Sequence, residues 1–243
     1  MNRERQAFFA ALLAVLLWST VATGFKLGLA VMHPLQLLLI ATLISSAVFV
    51  VAATLTKSWQ FDRRQLMEAA WLGTLNPFLY YIVLFAAYER LPAQIAQPLN
   101  YTWAITLAVL AVPVLGQRLP ARTIVGIFIS YVGVVVLLLQ DQFTAMPNVD
   151  WLGVALALGS TVLWAGYWLS HARSRSNPAN LMALSFLIAL PLVLVACVLG
   201  PGFPKMTWQT VFYGGWVGLI EMGVTFLLWQ RAMRLTGQAA RIG

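Results

Sequence analysis

Long apolar segments recur along this chain and constrain its fold more than any other feature. About 20 apolar residues in a helix cross the hydrocarbon core of a bilayer. Backbone polar groups in lipid must be paired within their own segment, so each such segment is predicted to be a helix. We therefore predict an all-α polytopic membrane protein. The predicted helices lie at 8–32, 34–55, 66–88, 95–115, 122–140, 151–170, 179–199 and 208–230.

Charge is sparse and lies between the apolar segments. Only 9% of the residues are charged, whereas soluble domains carry roughly 25%. If the N-terminus lies inside, twelve Lys and Arg residues fall on the inner side and two fall in outer loops. This asymmetry follows the positive-inside rule and predicts a cytoplasmic N-terminus. Anionic lipid of the inner leaflet then explains the net charge of +8, and we expect no nucleic-acid partner.

Motifs for catalysis are missing from the sequence. The single cysteine, Cys197, lies in an apolar segment, which excludes a disulfide framework. We find no nucleophile with a base at usable spacing, no metal-ligand cluster and no glycine-rich phosphate loop. We therefore expect no enzyme activity, no metal and no cofactor.

Short motifs recur at a spacing of about 145 residues. Because five helices separate equivalent points, equivalent helices must cross the membrane in opposite directions, as in inverted-repeat transporters. We predict a first repeat at 1–140 (helices 1–5), an outer linker at 141–150 and a second repeat at 151–243 (helices 6–8). Two halves of five helices would give ten helices, of which about eight are present. The pairs are "LLW" 16–18 with "VLW" 162–164, His33-Pro34 with Asn177-Pro178, "WLG" 71–73 with "WVG" 216–218, and "RLPAQIA" 90–96 with "RLTGQAA" 234–240.

Three longer motifs carry a family resemblance. They are "LLWSTVATGFK" in the first helix, "RLPAQIA" before the fourth, and "LGQRLPARTIVGIFISYVGVVVLL" across the fourth and fifth. With them the chain resembles the drug/metabolite transporter superfamily, in particular its EamA-type members with ten helices in two inverted halves. "NYTW" at 100–103, "LWST" at 17–20 and "WAGY" at 164–167 are most similar to the bacterial aromatic amino-acid exporters. Gln117 stands where the family commonly has Glu.

The resemblance implies a secondary transporter. It would export amino acids or related small metabolites across the bacterial inner membrane by alternating access through a central cavity. The partners implied are a small-molecule substrate and the lipid bilayer, with the chain able to act as a monomer. A multidrug or organic-cation exporter of the same fold and a non-transporting membrane scaffold stay open as alternatives.

Aromatic residues near the middle of their helices are the first candidates for the substrate site. Trp18 and Trp164 are repeat partners, so symmetry predicts them on opposite walls of one central cavity, with Trp103 nearby. Tryptophan rings can stack on a substrate or hold its ammonium group. Packing and lipid contact are the alternative roles.

Polar residues inside the predicted helices complete the candidate site. Asn100 shares a helix face with Trp103 and could bind a zwitterion; a hydrogen bond between helices is its alternative role. Tyr101 reaches the cavity only if the face is broad or the helix turns near Pro98. Asn76 precedes Pro77, which is expected to kink the third helix, and helical spacing puts Tyr80 rather than Tyr81 on the face of Asn76.

Glu221 is the most costly residue at its depth in the membrane. A charged side chain there costs about 2.5–3.5 kcal/mol on insertion scales. We expect it to bind a substrate ammonium or to act as a coupling carboxylate; a hydrogen bond between helices is the alternative. His33 and His171 are expected in solvated loops.

Overall fold

The computed structural model describes residues 3–139 and 150–237, and this part of the chain is a bundle of eight helices. Seven of them are long and apolar enough to cross a membrane. The remaining helix contains a shorter apolar stretch at Ala121–Gly133. The predicted all-α polytopic fold is confirmed. The helices are α1 (Arg3–Leu29), α2 (Pro34–Leu55), α3 (Arg63–Arg90), α4 (Gln94–Leu115), α5 (Ala121–Leu139), α6 (Trp151–Arg173), α7 (Pro178–Leu199) and α8 (Trp208–Leu235).

Side-chain caps start several helices where the sequence changes from polar to apolar. His33 Nδ1 accepts a hydrogen bond from the Leu35 N–H at 3.2 Å. Asn177 Oδ1 accepts one from the Ala179 N–H at 3.0 Å. Each cap is followed by proline at the first helical position, where a missing N–H is tolerated. These two caps are a repeat pair in the sequence, so the repeat has a structural counterpart.

The start of α6 is fixed by an acidic cap. Asp150 Oδ1 accepts from the Gly153 N–H at 2.9 Å, and its Oδ2 lies 3.1 Å from the Arg90 guanidinium at the end of α3. The Gly153 N–H and Arg90 hold the pKa of the Asp150 carboxyl below its usual value. The predicted outer linker at 141–150 otherwise lies outside the described residues.

Four helices are interrupted near their middles. α1 breaks between Trp18 and Val21, and α4 breaks at Thr102. Wide π-helical turns interrupt α3 at Thr74–Leu79 and α8 at Val217–Val224. The two π turns are separated by about the repeat spacing of 145 residues. Both halves of the chain therefore have the same irregularity at equivalent positions.

The two ends of the bundle are recognised by their contacts. At one end Arg90 and Leu91 lie against Gly153 at the start of α6, and we call this the Arg90 end. At the other, the Arg234 end, Glu4 at the start of α1 contacts Thr236 and Gly237 after α8. α1 and α6 therefore begin at opposite ends, as the inverted repeat predicts.

Helix α6 lies at the centre of the bundle. It packs against α3, α4 and α8, while α7 packs against α2 and α3, and α1 packs along α8. α5 touches mainly α4 and is exposed along much of its length. The predicted α6 ended at 170, but the helix continues to Arg173. The prediction of a solvated loop is therefore wrong for His171, which is fully buried on α6, whereas His33 is exposed.

Candidate functional site

Four tryptophans from four helices meet at the centre of the bundle. The Trp18 ring lies 5.8 Å from Trp103, 5.6 Å from Trp164 and 5.4 Å from Trp229, measured between ring centroids. Trp103 and Trp229 are also in contact, at 5.2 Å. The predicted facing pair, Trp18 and Trp164, therefore touches directly. The break in α1 directly follows Trp18, and the break in α4 directly precedes Trp103. Both rings lie at the centre of the bundle.

A small cavity of about 30 Å³ adjoins the tryptophans. This volume holds on the order of two water molecules, so an amino acid needs the surrounding rings or helices to move apart. On α1, α3 and α4 the lining continues from the tryptophans toward the Arg90 end. The lining residues are Trp18, Val21, Phe25, Tyr80, Leu84, Tyr88, Gln97, Asn100, Tyr101, Trp103, Trp164 and Glu221.

A hydrogen-bond network holds Asn100 in the cavity wall. Its Nδ2 donates to Ser160 Oγ on α6 at 2.9 Å and lies 3.3 Å from the Tyr80 hydroxyl on α3. The three side chains are buried and come from three different helices. Such a network fixes the positions of the helices around the cavity, because each missing partner would leave a buried polar group unpaired.

The Glu221 carboxylate faces the cavity from the π turn of α8. Its Oε1 accepts a hydrogen bond from the Tyr81 hydroxyl on α3 at 3.0 Å. Its Oε2 is buried and has no hydrogen-bond partner among the described residues. Among the described residues that line the cavity, Glu221 alone is acidic. One carboxylate oxygen is thus oriented by the protein, and the other is a buried acceptor without a partner in the described part of the chain.

Tyr101 separates the cavity from a groove on the surface of the bundle. With Gln97 it lines both the cavity and a groove of about 560 Å³ that extends along α4 to Ser130 on α5. Its side chain is 45% exposed, and its hydroxyl donates to the Trp18 carbonyl at 3.2 Å. The break at Thr102 lets Tyr101 and Trp103 reach the same cavity, which a regular helix would not allow.

Closely packed aromatic rings block the side of the cavity that leads to the Arg234 end. Phe226 contacts Trp164, Trp168 and Phe186, with ring centroids 5.4, 5.1 and 6.0 Å apart. Every ring in this aromatic plug is fully buried. The cavity is therefore closed toward the Arg234 end. The plug consists of Phe49, Tyr167, Trp168, Phe186, Phe226 and Trp229.

Seven of the eight candidate residues lie together in the cavity lining. They are Trp18, Tyr80, Asn100, Tyr101, Trp103, Trp164 and Glu221. Asn76 does not line the cavity; it is buried within the π turn of α3, and its amide atoms have no hydrogen-bond partner in the described ranges.

Sequence reasoning missed Tyr81, Ser160 and Trp229. Helical spacing from Asn76 favoured Tyr80 over Tyr81, but Asn76 has non-helical angles, φ −150° and ψ 122°, so this spacing does not apply. Both tyrosines reach the site as a result. Ser160 lies one helical turn before Trp164, a signal that was available in the sequence. For Trp229 the sequence contains no such signal.

The site contains buried hydrogen-bond acceptors and donors without partners among the described residues. The free Oε2 of Glu221 can accept from an ammonium group. The indole Nε1 atoms of Trp18 and Trp164 are buried donors without an acceptor in the described part of the chain. An indole N–H can donate only, so these two atoms suit a carboxylate. The surrounding rings offer faces for an apolar or aromatic side chain.

Comparison with known proteins gives a family match over the first part of the chain. The EamA-like transporter family matches residues 5–139. Inner membrane protein YtfF of Escherichia coli (strain K12) is 29% identical over 133 residues, which are 49% of this chain and 40% of that protein. The uncharacterized transporter YvbV of Bacillus subtilis (strain 168) is 25% identical over 221 residues, 87% of this chain and 69% of that protein. The matches thus span less than half of YtfF and about two thirds of YvbV.

A solved structure shares the fold. This crystal structure superposes with a TM-score of 0.75, covering 94% of the chain and 79% of the other protein at 20% sequence identity. At this identity the likeness shows the arrangement of helices alone.

Proposed function

Because the chain belongs to the EamA-like transporter family, we propose that it is a secondary transporter for amino acids or similar small zwitterions. The substrate is bound in the central cavity and released by alternating access, in the direction of export. The observation that carries this proposal is the buried Glu221 carboxylate, which has one oxygen held by Tyr81 and the other without a partner among the described residues.

The cost of burying Glu221 supports a functional role. An ionisable group at mid-depth is expensive and marks a substrate or ion pathway in many membrane proteins. A substrate ammonium would compensate this cost by a charge-assisted hydrogen bond. The surrounding tryptophans would add cation–π contacts, each worth about 0.5–2 kcal/mol.

The free indole donors favour a zwitterion over a simple cation. Trp18 and Trp164 line the cavity, and the indole N–H of each is buried without a partner among the described residues. A cationic substrate without a carboxylate would leave both donors unpaired. The organic-cation exporter therefore remains the second candidate, since it uses Glu221 and the rings but not these donors.

The distribution of basic residues supports a cytoplasmic Arg234 end. Arg63, Arg64 and Arg175 are exposed near that end. Under the positive-inside rule they lie at the inner face of the membrane. The closed cavity then lies nearer the outer face, and export requires the bundle to open at the Arg234 end to load substrate.

Three ligands that share one aromatic ring test the proposal. We suggest reconstituting the protein in liposomes and measuring flux of tryptophan, tryptamine and indole-3-propionate, which are a zwitterion, a cation and an anion. Saturable flux of tryptophan that exceeds that of the other two is the expected result. Flux of tryptamine alone would favour the cation exporter. Flux of the anion alone, or no saturable flux across a panel of further amino acids, would overturn the proposal.

A further inference from the structure

A row of buried polar side chains continues from the aromatic plug to the Arg234 end. Tyr167 and His171 follow one another on the same face of α6, and their rings lie 4.6 Å apart. Gln230 on α8 lies one turn beyond Phe226, which contacts Tyr167. All three side chains are buried. We call this row the α6/α8 polar seam.

The seam is not satisfied by hydrogen bonds in the closed structure. The Tyr167 hydroxyl, both His171 nitrogens and both Gln230 amide atoms lack partners among the described residues. Polar groups buried without partners are costly, and phenylalanine or leucine would fill the same space at lower cost. These groups are therefore better suited to a conformation in which they meet water or a ligand.

The inverted repeat gives an independent reason to connect this face of α6 with transport. Trp164 is the repeat partner of Trp18, at a spacing of 146 residues. The same spacing pairs Tyr167 with Val21 and His171 with Phe25. Val21 and Phe25 line the cavity on its side toward the Arg90 end. In an inverted-repeat transporter the two halves exchange roles when access switches from one side to the other.

Further hydrogen bonds join α8, α3 and the α6–α7 connection at the Arg234 end. The Arg234 guanidinium donates to the Ser174 and Ser176 carbonyls in the α6–α7 connection. Ser176 Oγ in turn donates to Glu68 Oε2 on α3 at 3.2 Å. These contacts are part-buried or exposed, and they share no residue with the central network around Asn100.

From these observations we propose that Tyr167 and His171 line the substrate path when the protein opens at the Arg234 end. Their hydroxyl and imidazole groups then offer a donor and an acceptor to a zwitterion that moves between the central cavity and this end. This inference rests on the proposed transport function. Tyr167 and His171 in the second half of the chain would then line the path on the Arg234 side, as Val21 and Phe25 line the cavity on the Arg90 side.

Cysteine accessibility during transport tests the inference. Tyr167→Cys and His171→Cys are made separately in a Cys197→Ser background, reconstituted in liposomes, and exposed on both faces to a charged methanethiosulfonate. Leu169→Cys is the matched control, because Leu169 is equally buried on another face of α6. We expect slow labelling of all three without tryptophan, and faster labelling at positions 167 and 171 alone when tryptophan is being transported.

The outcomes separate this inference from the proposed function. Tryptophan flux is measured in the same liposomes. Flux with labelling at 167 and 171 no faster than at 169 would overturn the inference and leave the transporter proposal intact. Absence of saturable flux in the Cys197→Ser parent would overturn the proposed function, and the inferred pathway with it.

A second pair of variants separates pathway lining from packing. His171→Phe fills the same space but removes the polar side-chain atoms. His171→Gln keeps a side-chain donor and acceptor at this position. Since opening steps limit the rate of many transport and catalytic cycles, we expect roughly tenfold slower flux for His171→Phe, with tryptophan affinity unchanged and most flux retained in His171→Gln. Equal flux in both variants would contradict a pathway role.

Discussion

The Tyr81 hydroxyl determines how the Glu221 carboxylate is presented to the cavity. It binds Oε1 at 3.0 Å and leaves Oε2 without a partner in the described part of the chain. Without this hydrogen bond the carboxylate could rotate, and a ligand would have to order it on binding. In the proposed site, a single hydroxyl therefore orients the carboxylate before a substrate binds.

Tyr81→Phe tests this orienting role. A typical hydrogen bond contributes about 1 kcal/mol, so we expect roughly fivefold weaker substrate binding with the fold retained. Equilibrium binding to the purified protein is the measurement. Tyr213→Phe on α8 is a control, because Tyr213 does not line the cavity. Equal losses in the two variants would indicate a general effect of removing a tyrosine hydroxyl.

At the scale of the helices, a glycine allows α3 and α7 to approach each other closely. Gly73 at the end of the first α-helical part of α3 lies directly against the Ser185 carbonyl of α7, so an added Cβ would collide with backbone. Gly159 on α6 has nothing within 4 Å of such an atom. The α3–α7 contact positions the π turn that carries Asn76 and precedes the two site tyrosines.

Gly73→Ala is expected to destabilise the bundle. Overpacking costs about 1–3 kcal/mol, and here the obstacle is a carbonyl oxygen that cannot rotate away. Gly159→Ala is the matched control and should be neutral or stabilising by up to about 1 kcal/mol, the difference in helix propensity. Unfolding in detergent with a denaturant measures both. A Gly73→Ala protein as stable as the Gly159→Ala protein would contradict this packing.

The helices themselves follow from the sequence, but their interruptions follow only in part. Apolar length predicted all eight helices, and Pro77 indicated the irregularity in α3. The π turn at Val217–Val224 contains no proline, so nothing local announces it. It is stabilised by tertiary contacts, since Ser45 on α2 donates to the Gly218 carbonyl at 2.8 Å. Glu221 was predicted from its depth, whereas the position of its partner Tyr81 depends on the irregular backbone at Asn76 in α3.

For the whole molecule, the direction of transport depends on which end of the bundle faces the cytoplasm. The exposed side chains of Phe61 and Phe203 lie in connections at opposite ends. We expect Phe203→Cys, in a Cys197→Ser background, to react with an impermeant maleimide in cells with a permeable outer membrane. Phe61→Cys should react only after the inner membrane is disrupted, because basic residues flank it. The reverse pattern would invert the proposed direction of transport.

The whole molecule is also organised around one site shared by its two halves. Trp18, Tyr80 and Asn100 come from the first predicted repeat, and Trp164 and Glu221 come from the second. A substrate bound among them contacts both halves at once, which is what rocking of one half against the other requires. The carboxylate is the group in this shared site whose removal has the clearest chemical consequence.

Equilibrium binding of tryptophan to the wild type and to Glu221→Gln is the most direct test of this central site. A hydrogen bond to a charged group contributes about 1.5–3 kcal/mol, so we predict at least roughly tenfold weaker binding in Glu221→Gln. Glu89→Gln, which changes an exposed carboxylate on α3, should bind as the wild type does. Equal affinity in Glu221→Gln and the wild type would contradict the account.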